Sequence, residues 1–166
     1  VSDGAAHGEN AALPYPDADL RAHPPRSPHE MLGGLYFLAR TIDKTRAKIQ
    51  GTLGLYKVSP GLSGYLIEWL GLTEDEFTEA VRNARTDDDV VSWLHERADE
   101  NVFASINDRL SLRGIRDEAH FQEVLPRYPI LRECPHLRNW FEILELDDRW
   151  IFDPANAEKI KESAPS

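Results

Sequence analysis

A chain of 166 residues, 41% hydrophobic and 29% charged, has the size and composition of one globular domain that buries roughly two thirds of its extended surface. Its net charge of −10 argues against non-specific nucleic-acid binding and against a peripheral anchor on anionic lipid, both of which rest on surplus Lys and Arg. No apolar run approaches the roughly 20 residues of a membrane span, and the single cysteine, Cys134, excludes an internal disulfide framework or a cysteine-based zinc site. The opening residues VSDGAAHGEN lack the charged and apolar regions of a secretory signal, so the expected compartment is the cytoplasm.

Residues 1–18 are rich in Ala, Gly, Asn, Asp and Pro without apolar periodicity and read as a flexible tail. Asp19 to Arg26 cannot be helical, because Pro24 and Pro25 hold the preceding backbone extended; this segment reads as a Pro-rich arm laid across the domain. From Ser27 to Gly51 the chain predicts one long helix. Ser27 is a good N-cap, Pro28 suits the first helical position, Glu30 completes a capping box, and Gly51 suits the terminating position. Gly33 and Gly34 would each cost about 1 kcal/mol inside that helix, which the close approach of a backbone or ligand would explain.

On a helical projection Leu32, Leu35, Leu38, Ala39, Ile42 and Ile49 share one arc, with Arg46 in its middle and Asp43 at its edge beside Tyr36 and Arg40. Lys44 and Lys48 project to the opposite side, as solvent-facing residues would. Spacings of three join Arg40 to Asp43 and Asp43 to Arg46, so these side chains are expected to meet. A charge on an apolar face is costly unless paired.

The connection Gly51 to Gly61 tucks Leu53, Leu55 and Tyr56 inward and lacks the Lys-Ser/Thr of a phosphate-binding P-loop. A short helix at Leu62 to Leu70 ends at Gly71. Thr73 with Glu76, and Thr86 with Asp89, predict two capped helices, whose acidic first turns suit the helix dipole. Further helices are expected from about Asn101 to Arg113, stopped by Gly114; from Asp117 to near Pro126; and, after a loop RYPILREC, around Leu137 to Leu144. Residues 154–166 read as a peripheral segment. Nothing alternates with period two, so the expectation is all-α: a single compact domain over 19–153 with about six to seven helices.

Charge is segregated along this order. Leu20 to Lys57 holds seven basic and two acidic residues, whereas Thr73 to Asp99 holds nine acidic and three basic. Either two complementary surfaces lie near each other, or a local anion site is set in an acidic protein.

Several stretches together resemble the DUF5069 family of uncharacterised bacterial proteins. They are Asp19 to Pro28 (DLRAHPPRSP), Leu32 to Gly34 (LGG), Ala39 to Ala47 (ARTIDKTRA), Gly51 to Gly54 (GTLG), Trp69 to Phe77 (WLGLTEDEF), Ser92 to Leu94 (SWL) and Asn139 to Asp147 (NWFEILELD). The resemblance covers about 19 to 150. The family segment that usually reads GEYHY is here Gly54 to Val58 (GLYKV). The resemblance implies a recurring arm-plus-helix module and brings no activity with it.

Tyr36, Arg40, Asp43 and Arg46, with Arg21 or Arg26 from the arm, form the expected site. Two guanidiniums can hold a carboxylate or phosphate in bidentate fashion, and an ionised Asp43 can serve as a base once water is excluded. The competing account is an Asp–Arg network that locks the arm to the helix. His23 in the arm is a second acid–base candidate, and Tyr56 would line the cleft. His95 with Asp99, and Asp117 with His120, have acceptable metal-ligand spacings, but no metal site is expected. No serine nucleophile elbow is present, and Cys134 precedes Pro135 at what reads as a helix start.

The functional expectation is a small enzyme or binder for an anionic small molecule, working without a cofactor by proton transfer of a lyase, isomerase or hydrolase kind. Arg40, Arg46 and Arg26 would anchor the anion, and Asp43, His23 and Tyr36 would act on it. The alternative is a non-catalytic module that docks a basic partner on the acidic helices. A homo-oligomer is compatible with either.

Overall fold

Capping residues set two helix starts as expected. The Thr73 hydroxyl accepts from the Glu76 amide while Glu76 reaches back to the Thr73 amide, and Thr86 and Asp89 do the same one helix later. The structure, a computed structural model, describes residues 18–163. Apart from Ala18, which is buried, the expected tail lies outside the described residues, as do 164–166.

The described residues form an all-α architecture. Its helices are α1 (Leu38–Gln50), α2 (Leu62–Trp69), α3 (Glu74–Asn83), α4 (Asp87–Arg97), α5 (Phe103–Ser111), α6 (Glu118–Val124), α7 (Ile130–Glu133), α8 (Trp140–Ile151) and α9 (Ala157–Ser163). The number exceeds the expectation because part of the RYPILREC loop and part of the terminal segment are helical. α1 packs on α2 and α3, α5 packs on α2, and α7 packs on α8.

The largest departure is the start of α1. Residues 27–37 are not helical. Gly33 and Gly34 both have positive φ, 59° and 86°, and Leu32 and Leu35 exchange two backbone hydrogen bonds of 3.0 Å across them. That is a two-residue hairpin turn of the primed kind, which requires φ > 0 at both central positions and so favours Gly-Gly. Phe37 then caps α1 with φ 69°, unusual for a bulky residue, and its fully buried ring stacks on Phe141. Ser27 caps no helix: its hydroxyl accepts from the His29 amide at 3.2 Å and donates to Glu145 of α8 at 2.6 Å.

Two apolar clusters make the interior. One gathers α1 to α5 around Leu38, Ile42, Leu66, Phe77, Leu94 and Leu110; the other gathers Phe121, Val124, Leu131 and Leu137. α8 serves both, giving Phe141 to the first and Ile143 and Trp150 to the second. Between them Gly114 pairs with Asn139, and a Cβ on Gly114 would stand 2.4 Å from the Arg138 carbonyl oxygen. Gly114 does more than end α5: it lets two backbones touch. Gly114→Ala is therefore expected to cost about 1–3 kcal/mol through overpacking against backbone that cannot step aside. Urea denaturation measures this, and an unchanged midpoint would contradict the close approach.

Candidate functional site

With α1 beginning at Leu38, its charged residues go in different directions. Arg26 of the arm claims Asp43: the backbone amide donates to Oδ2 at 2.8 Å, and the guanidinium donates from Nε at 3.0 Å and Nη2 at 3.0 Å. The same guanidinium donates to Asp87 at the start of α4 at 2.7 Å, where Arg46 also donates at 2.7 Å. Burial works against the charge on Arg26, but Asp87 and Asp43 outweigh it and hold the guanidinium protonated beyond its ordinary range. Burial likewise opposes ionisation of Asp87, and its bonds from Arg26 and Arg46 overcome that, so its pKa is lowered. Two cations and two anions thus tie the arm, α1 and α4 together. This is the arrangement of the locking network.

Arg40 does not join Asp43. Fully buried, it donates from Nη1 at 2.6 Å and Nη2 at 3.1 Å to the two oxygens of Asp148 on α8. Nη1 also donates to the Arg26 carbonyl at 3.2 Å. The Tyr56 hydroxyl donates to Asp148 Oδ1 at 2.7 Å. The guanidinium carbon lies 5.8 Å from the Phe37 ring centre and 5.7 Å from that of Tyr56. Burial and the Asp148 carboxylate push the Tyr56 phenol well above its usual range, so it stays protonated.

Lys44, one turn after Arg40, departs furthest from its projected place. It is 8% exposed and not solvent-facing, with Nζ 5.6 Å from the Phe37 ring centre. That amine makes no hydrogen bond among the described residues. Burial, followed by the positive charges of Arg40 and Lys57, pushes it down to about 7, with Asp148 pulling the other way. The projection fails because α1 is buried nearly all round, with Thr41, Lys44 and Thr45 buried as well as Leu38 and Ile42. The Thr41 and Thr45 hydroxyls are satisfied within the helix, donating to the carbonyls of Phe37 and Thr41. Lys48, the other residue projected outward, reaches Glu74 at a half-exposed surface pair.

Next to Asp148, Asp147 turns towards the second cluster. Burial, then the Asp148 charge, raises it to about 7, while the Ile130 amide and Arg40 oppose the shift. Sequence reading misses both carboxylates. A signal for them exists: two adjacent acids inside the apolar run of α8.

The remaining candidates lie elsewhere. His23 is exposed and shares a hydrogen bond with the Pro24 carbonyl. Tyr36 precedes α1; its amide donates to Asn107 and its ring meets the edge of Phe141. Arg21 pairs with Asp19. His95 faces Glu100 and the Gly33 carbonyl, and Asp117 caps α6 by accepting from the His120 amide. The described residues contain no group of three metal-ligating side chains. Cys134 follows α7 as its C-cap, so it does not stand at a helix start. Among the described residues no helix is long and apolar enough to cross a membrane. Away from all of these, an open groove of about 630 Å³ lies between α3 and α4, where Asp75, Glu79 and Asp89 surround Trp93.

The family model described as Domain of unknown function (DUF5069) matches residues 22–150, and the chain belongs to that family. Every member of both charged networks lies inside the matched span. Comparison with curated proteins finds no match.

Proposed function

We propose that this member of the family acts on an anionic small molecule, carboxylate- or phosphate-bearing, by cofactor-independent proton transfer centred on Lys44. The observation that carries the reading is Lys44, a residue only 8% exposed whose amine makes no hydrogen bond among the described residues, in the field of Arg40, Asp148 and Lys57. An amine whose pKa is near 7 is partly unprotonated at neutral pH and can take a proton, a role open to an ordinary lysine only in strong base. The protonated Tyr56 phenol spends its hydrogen on Asp148 and so helps to hold that carboxylate in place. Arg40, Lys57 and the protonated fraction of Lys44 outweigh the single charge of Asp148, and this local excess favours an anion in a protein of net charge −10. Arg26, Asp43 and Arg46 hold the frame. The chemistry is of a lyase, isomerase or hydrolase kind, and the single cysteine fits a cytoplasmic setting.

A thermal-shift screen of carboxylates and phosphates tests this. Wild-type protein is expected to show hits that vanish in Lys44→Met while that variant still melts cooperatively. Hits that persist in Lys44→Met, or no hits in the wild type, would remove the reading. In that case the acidic groove beside Trp93 favours the second reading, a non-catalytic module docking a basic partner.

A further inference from the structure

On the surface formed by α2, α5 and the residues that follow α5, two arginines stand over aromatic rings. Tyr65 and Trp69 are one helical turn apart on α2 and stack, with centroids 5.4 Å apart and planes 18° from parallel. The Arg109 guanidinium carbon stands 3.7 Å from the Trp69 ring centre. That of Arg113 stands 4.5 Å from Tyr65 and 5.5 Å from Trp69. Beside them Leu112 is 80% exposed and Tyr65 39% exposed.

Stacking uses the faces of a guanidinium and leaves its N–H edges free. Neither guanidinium has a carboxylate or hydrogen-bond partner among the described residues, in contrast with Arg26 and Arg40. Holding both over one platform restricts their rotamers in advance, which reduces the entropy lost when a ligand is bound. Both lie within 5.5 Å of the same Trp69 ring centre, close enough to be engaged by one short segment. A lone exposed cation–π contact contributes about 0.5–1 kcal/mol, which accounts for one stacked arginine as packing.

We infer that Arg109, Arg113, Tyr65, Trp69 and Leu112 form a docking surface for an acidic segment of a partner protein. Two carboxylates pair with the guanidinium edges and an apolar side chain covers Leu112. The two guanidiniums without a carboxylate partner among the described residues select an acidic occupant, and exposed Glu68 and Asp108, which adjoin the platform in sequence, restrict it to a short one. A short segment with two carboxylates fits between them, whereas a continuous polyanion is repelled.

The test uses the full chain and three fluorescein-labelled probes: a twelve-residue peptide with glutamates flanking a central leucine, the same peptide with glycine for leucine, and a twelve-nucleotide oligothymidine. Anisotropy is expected to show the leucine peptide binding most tightly, weakening as salt rises. Arg109→Gln with Arg113→Gln is expected to weaken it at least tenfold. Leu112→Asp, at a position with no core to disturb, is expected to weaken it too, which guards against misfolding of the arginine variant. The inference is overturned by equal affinity in Leu112→Asp, by preference for oligothymidine, by absence of peptide binding, or by sedimentation showing that the patch is covered by a second copy of the chain.

Discussion

Asp148→Asn is expected to destabilise the fold by about 3–5 kcal/mol, the cost of removing one partner from a buried ion pair. The substitution keeps the shape and changes the charge. Arg40 would remain fully buried, with the Arg26 carbonyl and a neutral amide as its acceptors. Its Nε already has no hydrogen-bond partner among the described residues, so the cation would be left with neutral acceptors alone. Tyr56 would lose its charged acceptor at the same time. Removing the pair together, as Arg40→Met with Asp148→Leu, is expected to recover most of the loss, since no buried charge is then left unpaired. The pair Lys48–Glu74, with side chains 40% and 35% exposed, is the internal control: breaking it is expected to cost under about 1 kcal/mol. Urea midpoints for these variants decide the matter. An Asp148→Asn protein as stable as a Glu74→Gln one would show that the Arg40 pair is not sealed from water.

Stability is expected to pass through a minimum near pH 7, where proteins are commonly most stable. Folding lowers Lys44 from 10.5 to about 7, so the unfolded chain binds the extra proton across that window. Stability from this group is complete above 10.5 and is lost as pH falls to about 7. Asp147 has the opposite sense. Folding raises it from 3.8 to about 7, so its contribution is complete below 3.8 and is lost as pH rises to about 7. Each limb is on the order of a few kcal/mol, taking about 1.4 kcal/mol for each pH unit between the folded and unfolded values as an upper guide. Outside these limbs the profile turns down again. In acid the depressed Asp87 loses its pairing with Arg26 and Arg46, and in strong base the raised Tyr56 and Tyr128 resist ionisation that the unfolded chain allows. Melts at pH 4.5, 7 and 9.5 measure the shape. Lys44→Met should flatten the alkaline limb alone and Asp147→Asn the acid limb alone. A single maximum at neutrality in the wild type would contradict the burial of both groups.

Local signals are legible in this chain and long-range ones are not. The capping boxes at Thr73 and Thr86 depend on side chains three residues apart, and both helices start where those residues place them. The start of α1 reads falsely because Ser27, Pro28 and Glu30 imitate a helix start. Gly33-Gly34, the stronger signal, asks for φ > 0 twice, which no helix allows. That Arg40 needs a partner follows from its neighbours, but the partner lies 108 residues away on α8 and leaves no trace in the spacing around Arg40. Lys44 is illegible for the same reason. Periodicity reports one apolar face, and nothing local reveals that the other face is also covered.

The bonds that seal this interior have a consequence for synthesis. Ser27 to Glu145, Arg40 to Asp148 and Tyr56 to Asp148 span 118, 108 and 92 residues. Loops of that length close late, after nearer contacts have formed. During translation α1 therefore emerges with Arg40 lacking its counter-ion, and although its apolar residues can already pack on α2 and α3, the side that carries Arg40 is not sealed until α8 has left the ribosome. Packing around that helix is therefore completed only when α8 is available, and a ribosome stalled short of residue 148 would present an incompletely sealed helix to chaperones or proteases.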